Sequence, residues 1–303
     1  MRTVEVAPGV RSSALGFGCA PILGSVGGRR AEAALGLALE LGVTHLDVAP
    51  SYGFGEAEGW VGRFLRGRRE GVVLATKFGL EATGMARVLA PVKPVVRWVR
   101  EMKIKMKKGA DRGDGRSKMG DRGPSFAPNL AEPGGATKGG SPGRFFRRVE
   151  MNAANLERSV ERSLRALRTD RIDILLLHEP PGKLPAWGEL REAAGRLKRA
   201  GKIRAFGAAY YRGKEHPGEE VLRECDVRQF DCSPAAEDYG AVVAEAGNRP
   251  GILFSPFAGG GAMGDRGAML QRLARDFPRS VVLCSMFSEK NIRGNVEAIG
   301  ARC

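Results

Sequence analysis

Four side chains that can handle protons follow short apolar stretches of this sequence. Asp47 and Tyr52 lie in THLDVAPSYG, and Lys77 lies in VVLATKFG. His178 lies in IDILLLHEP. Each residue stands at or just beyond the C-terminal end of a run that predicts a β-strand. A tyrosine, a lysine, an aspartate and a histidine gathered in one place could move a proton at a carbonyl oxygen. This set therefore favours an oxidoreductase.

The four residue types divide the work of carbonyl reduction between them. A phenol has a pKa near 10 in water, and a neighbouring ammonium such as that of Lys77 would lower the pKa of Tyr52. Asp47 could pair with the lysine and keep it charged and oriented. His178 could donate a hydrogen bond to the carbonyl and fix its angle. Each residue alone also has a simple structural explanation, so the prediction depends on all four occurring at strand ends.

Strands and helices alternate along most of the chain. Amphipathic stretches such as RAEAALGLALELG and NLERSVERSLRALR stand between apolar runs such as VTHLDV and RIDILLLH. Nearly continuous apolar strands between helices indicate a parallel sheet buried on both faces. Eight strand candidates, beginning with ALGFG at 14–18, predict a (β/α)8 TIM barrel as one domain over residues 1–303. The alternative is a doubly wound open sheet, which usually has fewer strands and a phosphate-binding glycine turn.

A basic segment rich in glycine and proline interrupts this alternation over residues 81–150, after the third strand. Residues 101–150 hold six lysines, six arginines and six acidic residues. Ten glycines lie between residues 109 and 143, and they predict that about 107–144 is disordered. In a barrel this insertion would leave the third strand at the catalytic end. There it could form a lid, or it could be a surface loop without a role.

The overall composition narrows the class of protein. The apolar stretches are too short to span a membrane, and the N-terminus lacks the apolar region of a secretory signal. Five cysteines without CxxC spacing predict a reduced, cytoplasmic protein with neither a metal site nor disulfides. The net charge of +15 suits anionic partners. The insertion, however, offers few aromatic rings and matches no nucleic-acid-binding module, which argues against nucleic acid as a partner. These patterns do not determine the oligomeric state.

Six stretches of the chain resemble the aldo-keto reductase superfamily in order and spacing. They are LGFGCAPILG, HLDVAPSYGFGEAEGWVGRFL, ATKFG, LERSVERSLRALRTDRIDILLLHEP, GKIRAFG and NIRGNVEA. The resemblance implies a (β/α)8 barrel and an NAD(P)H-dependent oxidoreductase acting on a small carbonyl or alcohol. It also implies that the cofactor enters the C-terminal mouth of the barrel without a Rossmann turn. Finally, it implies a catalytic tetrad, with the tyrosine as general acid and base: Asp47, Tyr52, Lys77 and His178.

The resemblance also implies where the cofactor binds. Gln229 matches a family glutamine that helps to hold the nicotinamide carboxamide, and Phe254 falls where an aromatic ring stacks on the nicotinamide. The Ser-Asn pair that usually completes this clamp is replaced by Ala209 and Tyr210. Further implied contacts lie along the pyrophosphate and around the adenosine 2′-phosphate: Ser255, Phe257, Ser288, Lys290, Arg293 and Asn295. The two basic residues favour NADP(H), and NAD(H) stays possible.

Departures from the family pattern keep a second function open, chiefly the carboxamide clamp replaced by Ala209 and Tyr210 and the early end of the sequence. In the segment expected to grip the 2′-phosphate, Ser285, Met286 and Asn291 stand where other residues are common. The sequence also ends soon after the eighth helix begins, which predicts a substrate pocket that is open or completed by the insertion. The alternative function is therefore a non-catalytic, cofactor-binding regulatory module on the same fold. The complete tetrad favours the enzyme.

Overall fold

The computed structural model describes residues 1–88, 145–246, 248–259 and 265–300. The strands of these ranges are β1 (Thr3–Ala7), β2 (Val10–Ser13), β3 (Leu15–Gly18), β4 (His45–Asp47), β5 (Val73–Phe78), β6 (Leu80–Ala82), β7 (Phe146–Arg148), β8 (Ile172–His178), β9 (Ile203–Tyr210), β10 (Val227–Asp231), β11 (Gly251–Phe254) and β12 (Val281–Cys284). Eight of them are parallel and close into a barrel.

The barrel strands follow one another in chain order. The hydrogen-bonded order is β10–β11–β12–β3–β4–β5–β8–β9, and β12 pairs with β3 to close the ring. The predicted (β/α)8 TIM barrel is therefore confirmed, and the doubly wound open sheet is wrong. Because every strand is parallel, all eight C-terminal ends meet at one mouth.

Helices between the strands cover the barrel from outside. The described helices are α1 (Gly28–Glu40), α2 (Ala57–Phe64), α3 (Gly84–Val88), α4 (Ala153–Leu167), α5 (Trp187–Arg199), α6 (Glu219–Arg223), α7 (Tyr239–Ala246), α8 (Arg266–Asp276) and α9 (Glu289–Gly300). Helix α4 shows how the sequence determines where a helix begins and which face it buries. Its N-cap, Asn152, accepts a hydrogen bond from the backbone of Asn155 at 2.9 Å. Its predicted apolar positions are all buried: Leu156, Val160, Leu164 and Leu167.

Helices α2 and α4 approach each other closely at a glycine. A Cβ atom at Gly62 would lie 2.4 Å from the carbonyl oxygen of Leu167. Only a residue without a side chain permits this separation, so Gly62 determines how α2 packs on α4. Helix α2 follows directly on the loop that leaves β4 at Asp47. Its packing therefore helps to hold that loop at the barrel mouth.

An antiparallel hairpin of β1 and β2 precedes the barrel and was not predicted. It lies at the N-terminal end of the barrel, because the backbone N–H of Ser13 donates to the Thr44 hydroxyl just before β4. The Ser12 hydroxyl lies 3.1 Å from Nδ1 of His45, the first residue of β4. The hairpin thus closes the end of the barrel opposite the mouth.

The insertion leaves the barrel after its third strand, β5, as expected. Its two ends pair as the antiparallel strands β6 and β7, with Glu81 opposite Arg147. The segment 107–144, whose disorder the sequence predicts, lies outside the described residues. Among the residues that the structure does describe, no helix is long and apolar enough to cross a membrane.

Candidate active site

The structure gathers the four proton-handling residues at the barrel mouth. Asp47 and His178 are the last residues of β4 and β8, and Lys77 is the penultimate residue of β5. Tyr52 begins a short 3-10 turn, Tyr52–Gly55, in the loop after β4. Asp47, Lys77 and His178 are 2%, 3% and 8% exposed, and Tyr52 is partly buried. The four therefore form a single, largely buried cluster at the barrel mouth.

A buried ion pair lies at the base of this cluster. The Lys77 ammonium lies 2.5 and 2.6 Å from the two carboxylate oxygens of Asp47 and 3.4 Å from the Val48 carbonyl. Removing two charges from water is costly, and this two-point contact offsets the cost only while both partners are present. Asp47 thus holds the lysine charged and fixed in position.

Tyr52 packs between Lys77 and His178. The Lys77 nitrogen lies 5.2 Å from the centre of the tyrosine ring, and the His178 ring meets it edge-on with centres 6.1 Å apart. Burial, reinforced by the charge of Asp47, raises the pKa of Tyr52 well above its ordinary value. This direction is opposite to the lowering expected from Lys77, chiefly because burial disfavours the charged phenolate, and the nearby Asp47 charge acts in the same sense. The phenol therefore stays protonated at neutral pH.

His178 is neutral in this environment. Burial lowers its pKa well below the ordinary value, and the charges of Lys77 and Arg148 lower it further. Its Nδ1 atom is buried without a hydrogen-bond partner among the described residues. A neutral imidazole carries one N–H donor, so His178 can donate to a carbonyl oxygen placed beside Tyr52.

Unfavourable backbone conformations mark the loops around the mouth. Phe54, Glu179 and Ser255 all have positive φ angles, of 59°, 49° and 55°. Such angles are strained for residues with a side chain and persist only where the surroundings enforce them. Gly53 also has a positive φ, and a Cβ atom there would lie 2.7 Å from the Ile22 carbonyl. This tight contact fixes the turn that carries Tyr52.

The residues implied as nicotinamide and pyrophosphate contacts lie on β10, at the end of β11 and just after β11. Gln229, in β10, is 2% exposed and donates its side-chain amide to Asp47 Oδ2 at 3.0 Å. Its carbonyl oxygen is buried and has no partner within the described residues. Phe254 ends β11, and Ser255 follows it. Phe257 lies beneath the Arg266 guanidinium, 5.3 Å from the ring centre.

The residues implied as 2′-phosphate contacts follow β12. The Ser288 hydroxyl accepts a hydrogen bond from the backbone of Asn291 at the start of α9. Lys290 is exposed, and Arg293 pairs with Glu289 at 2.8 Å. Asn295 lies partly buried on the same helix. Ser288 therefore lies just before α9, and the other three residues lie on that helix.

The two residues that replace the Ser-Asn clamp point to opposite sides of β9. Tyr210 stacks on His216 and Phe230, with ring centres 4.7 and 6.1 Å away. It does not face the mouth. The next residue, Tyr211, meets the Phe254 ring at a right angle with centres 5.0 Å apart. Tyr211 follows the end of β9 and is exposed, so it carries no strand signal that could have identified it from the sequence.

Two further residues near the site were missed by sequence reasoning. His45 lies in the barrel interior, two residues before Asp47 in β4, and is fully buried. Arg30, on α1, donates to the Phe287 carbonyl at 2.8 Å and so adds a cation beside the segment before α9. Arg30 has no local sequence signal, because it reaches Phe287 only through the pairing of β12 with β3. His45 shares β4 with Asp47, so the two-residue alternation of a strand could have placed both on one face. None of the described residues forms a group that could hold a metal ion.

Comparison with known proteins agrees with this geometry. The family model described as "Aldo/keto reductase family" matches residues 14–108 and 131–215. Aldo-keto reductase YhdN of Bacillus subtilis is 27% identical over 209 residues, which cover 67% of this chain and 45% of that protein. The chain thus matches less than half the length of this curated relative.

Solved structures share the fold over almost the whole chain. An aldo-keto reductase from Bacillus halodurans in its holo form superposes with a TM-score of 0.63 and 22% identity, covering 99% of this chain and 91% of that chain. An aldo-keto reductase from Klebsiella pneumoniae in complex with NADPH gives 0.60 and 20%, covering 99% and 90%. At these identities the likeness concerns the fold alone. Because the family model matches more than half of the sequence, this chain belongs to the aldo/keto reductase family.

Proposed function

We propose that this chain is an NADP(H)-dependent oxidoreductase that reduces an aldehyde, ketone or sugar-like carbonyl, or oxidises the matching alcohol. The observation that carries the proposal is the position of a protonated Tyr52 between Lys77 and His178 at the barrel mouth. Reduction of a carbonyl needs an acid at the oxygen, and these three residues supply an acid, a positive charge and a hydrogen-bond donor at one point.

In this mechanism Tyr52 donates the proton to the oxygen of the substrate as charge develops there. His178, being neutral, donates an N–H to the same oxygen and fixes its angle. The Lys77 charge lies beside the tyrosine ring and stabilises negative charge left on the phenol after transfer. Asp47 keeps the lysine in place. In the alcohol-oxidising direction the phenolate form of Tyr52 would accept the proton of the alcohol, while His178 and Lys77 keep the same positions.

The mouth has features that fit a nicotinamide dinucleotide, which supplies the hydride when bound. The unpartnered carbonyl oxygen of Gln229 suits the N–H of a carboxamide, and Phe254 offers an apolar ring. Ser255 and Phe257 would follow the pyrophosphate. Four residues of the α9 region would hold the 2′-phosphate, which favours NADP(H) over NAD(H): Ser288, Lys290, Arg293 and Asn295. The NADPH in the Klebsiella pneumoniae relative supports the same class of cofactor.

A regulatory module that binds cofactor without turnover is the second candidate. It is favoured by the clamp after β9, where Ala209 replaces a polar residue and Tyr210 stacks on Phe230 instead of facing the mouth. The small-molecule substrate, the absence of nucleic-acid binding and the cytoplasmic location all stay predictions from the sequence.

A panel of aldehydes, ketones and sugar-like carbonyls, incubated with NADPH and the full chain, tests the proposal. Turnover is followed by the loss of NADPH absorbance, with a parallel series using NADH to compare the two cofactors. Oxidation of NADPH that depends on both protein and carbonyl supports the enzyme. Tight NADPH binding without turnover on any carbonyl would replace it with the regulatory module. If the chain neither binds nor oxidises either cofactor, both candidates are wrong.

A further inference from the structure

Gln229 forms a hydrogen bond across the barrel at the floor of the mouth. Its strand, β10, and the strand of Asp47, β4, are four positions apart in either direction around the closed ring, so they lie opposite each other. The bond from Gln229 Nε2 to Asp47 Oδ2 measures 3.0 Å, and both side chains are 2% exposed. On the neighbouring strands the small residues Gly18 and Ala209 pair with Asp47 and Gln229, respectively.

The orientation of the Gln229 amide follows from the charge of Asp47. Both carboxylate oxygens of Asp47 accept a short hydrogen bond from the Lys77 ammonium. An ionised carboxylate has no proton to donate, so Asp47 can only accept hydrogen bonds. Only the NH2 end of Gln229 can face it. The carbonyl end must therefore point away from Asp47, and it is buried there without a partner among the described residues. A buried acceptor left unpaired is costly, which makes it a strong attractor for an N–H donor on a ligand.

The two ends of one amide are electronically connected. When the carbonyl oxygen accepts a hydrogen bond, the NH2 end becomes a stronger donor, because hydrogen bonds in a chain polarise one another. A ligand N–H on Gln229 would thus strengthen the bond to Asp47. The Asp47 carboxylate would then compensate less of the positive charge of Lys77. The nitrogen of Lys77 lies 5.2 Å from the centre of the Tyr52 ring. More of the lysine charge would act on the tyrosine.

We propose that Gln229 is a positioning residue that couples recognition of the cofactor carboxamide to the Asp47–Lys77 pair beside Tyr52. The inference rests on the proposed function and deepens it. It assigns Gln229 a second contact besides the one implied by family resemblance. By linkage, the coupling must also work in reverse: a change in how residue 229 meets Asp47 changes the affinity for the cofactor.

Substitution Gln229→Glu tests the coupling through cofactor affinity alone. A protonated glutamic acid keeps both contacts, since its O–H can donate to Asp47 while its carbonyl faces the ligand. An ionised glutamate keeps only acceptors and repels Asp47. The Kd for NADPH, measured by quenching of tryptophan fluorescence, is therefore expected to rise by about tenfold or more from acidic to neutral pH. If the carbonyl oxygen of residue 229 held the cofactor carboxamide independently of Asp47, the Kd for NADPH would stay the same at both pH values.

Wild-type protein and Gln229→Met are the matched controls for this titration. Asp47 contacts residue 229 directly, Lys77 contacts Asp47, Tyr52 packs beside Lys77 and His178 packs beside Tyr52, and Asp231 lies on the same strand as residue 229. These groups are present in all three proteins, so the profile of Gln229→Glu is compared with the other two. Gln229→Met is expected to bind NADPH more weakly than wild type, without the additional pH-dependent step. Thermal unfolding of each variant establishes that it is folded.

Three outcomes separate the possibilities. A Kd of Gln229→Glu that follows the wild-type profile overturns the coupling and leaves the proposed function standing. Wild-type protein that does not bind NADPH overturns the proposed function and this inference with it. If Gln229→Glu does not fold, Gln229→Met decides: under the coupling its kcat stays below the wild-type value even at saturating NADPH, whereas full recovery of kcat shows a contact that serves binding only.

Discussion

The Lys77 nitrogen lies 5.2 Å from the centre of the Tyr52 ring, yet its short contacts are both with Asp47, at 2.5 and 2.6 Å. The Asp47 carboxylate thus largely cancels the electrostatic effect of the Lys77 ammonium on Tyr52. Burial then dominates and raises the pKa of Tyr52. A tyrosine that stays protonated is suited to giving a proton to a substrate, as the proposed reduction requires.

Substitution Tyr52→Phe tests the role of the hydroxyl. Phenylalanine keeps the ring that packs between Lys77 and His178 but cannot donate a proton. We expect kcat to fall by about 10²–10⁴-fold on any carbonyl that the wild type reduces. The Kd for NADPH and the melting temperature should stay close to the wild-type values. A variant that retains most of its kcat would show that Tyr52 is not the acid.

Substitution Lys77→Met tests the buried ion pair. It leaves the Asp47 carboxylate buried opposite an apolar side chain, which should lower the free energy of unfolding by about 3–5 kcal/mol. The double variant Asp47→Leu, Lys77→Met removes both charges, so it should lie closer to the wild type in urea unfolding. A double variant that is less stable than Lys77→Met would contradict this account.

His45 should make the fold sensitive to acid. It is fully buried, and desolvation lowers its pKa to about 4. In the unfolded chain it takes up a proton near its ordinary pKa of about 6.5. The contribution of neutral His45 to the free energy of unfolding is therefore fully present above about pH 6.5. It is lost as the pH falls toward 4, by up to roughly 3 kcal/mol.

The variant His45→Asn isolates this effect. The asparagine oxygen can replace Nδ1 as the partner of the Ser12 hydroxyl, and it does not titrate. Urea unfolding at a series of pH values should show that the wild type loses stability on acidification faster than the variant. Parallel curves for the two proteins would assign the acid sensitivity to other groups.

Two glycines in helices should respond in opposite ways to substitution by alanine. At Gly62 the added Cβ would lie 2.4 Å from the Leu167 carbonyl, so Gly62→Ala should cost about 1–3 kcal/mol as α2 is pushed from α4. At Gly36, within α1, the Cβ would meet nothing within 4 Å. Gly36→Ala should therefore stabilise the protein by about 0.5–1 kcal/mol. Thermal unfolding measures both, and equal shifts would refute the close approach.

Much of the fold could be predicted because its signals are local. Apolar runs and amphipathic stretches identify strands and helices, and eight strands in alternation with helices identify the barrel. The β1–β2 hairpin was not predicted because its two strands are too short to show a clear pattern of apolar residues. It is stabilised by contacts with distant residues, such as that of Ser13 with Thr44.

The sequence by itself determined that Asp47, Lys77 and His178 stand at strand ends, and a parallel barrel necessarily brings strand ends together. The tertiary structure alone decided what these groups do to one another. Whether Lys77 lowers the pKa of Tyr52 depends on the distances to Asp47, and whether Gln229 reaches Asp47 depends on a crossing of the closed barrel. Electrostatic interaction varies with separation and burial, and neither quantity is written in the order of residues along the chain.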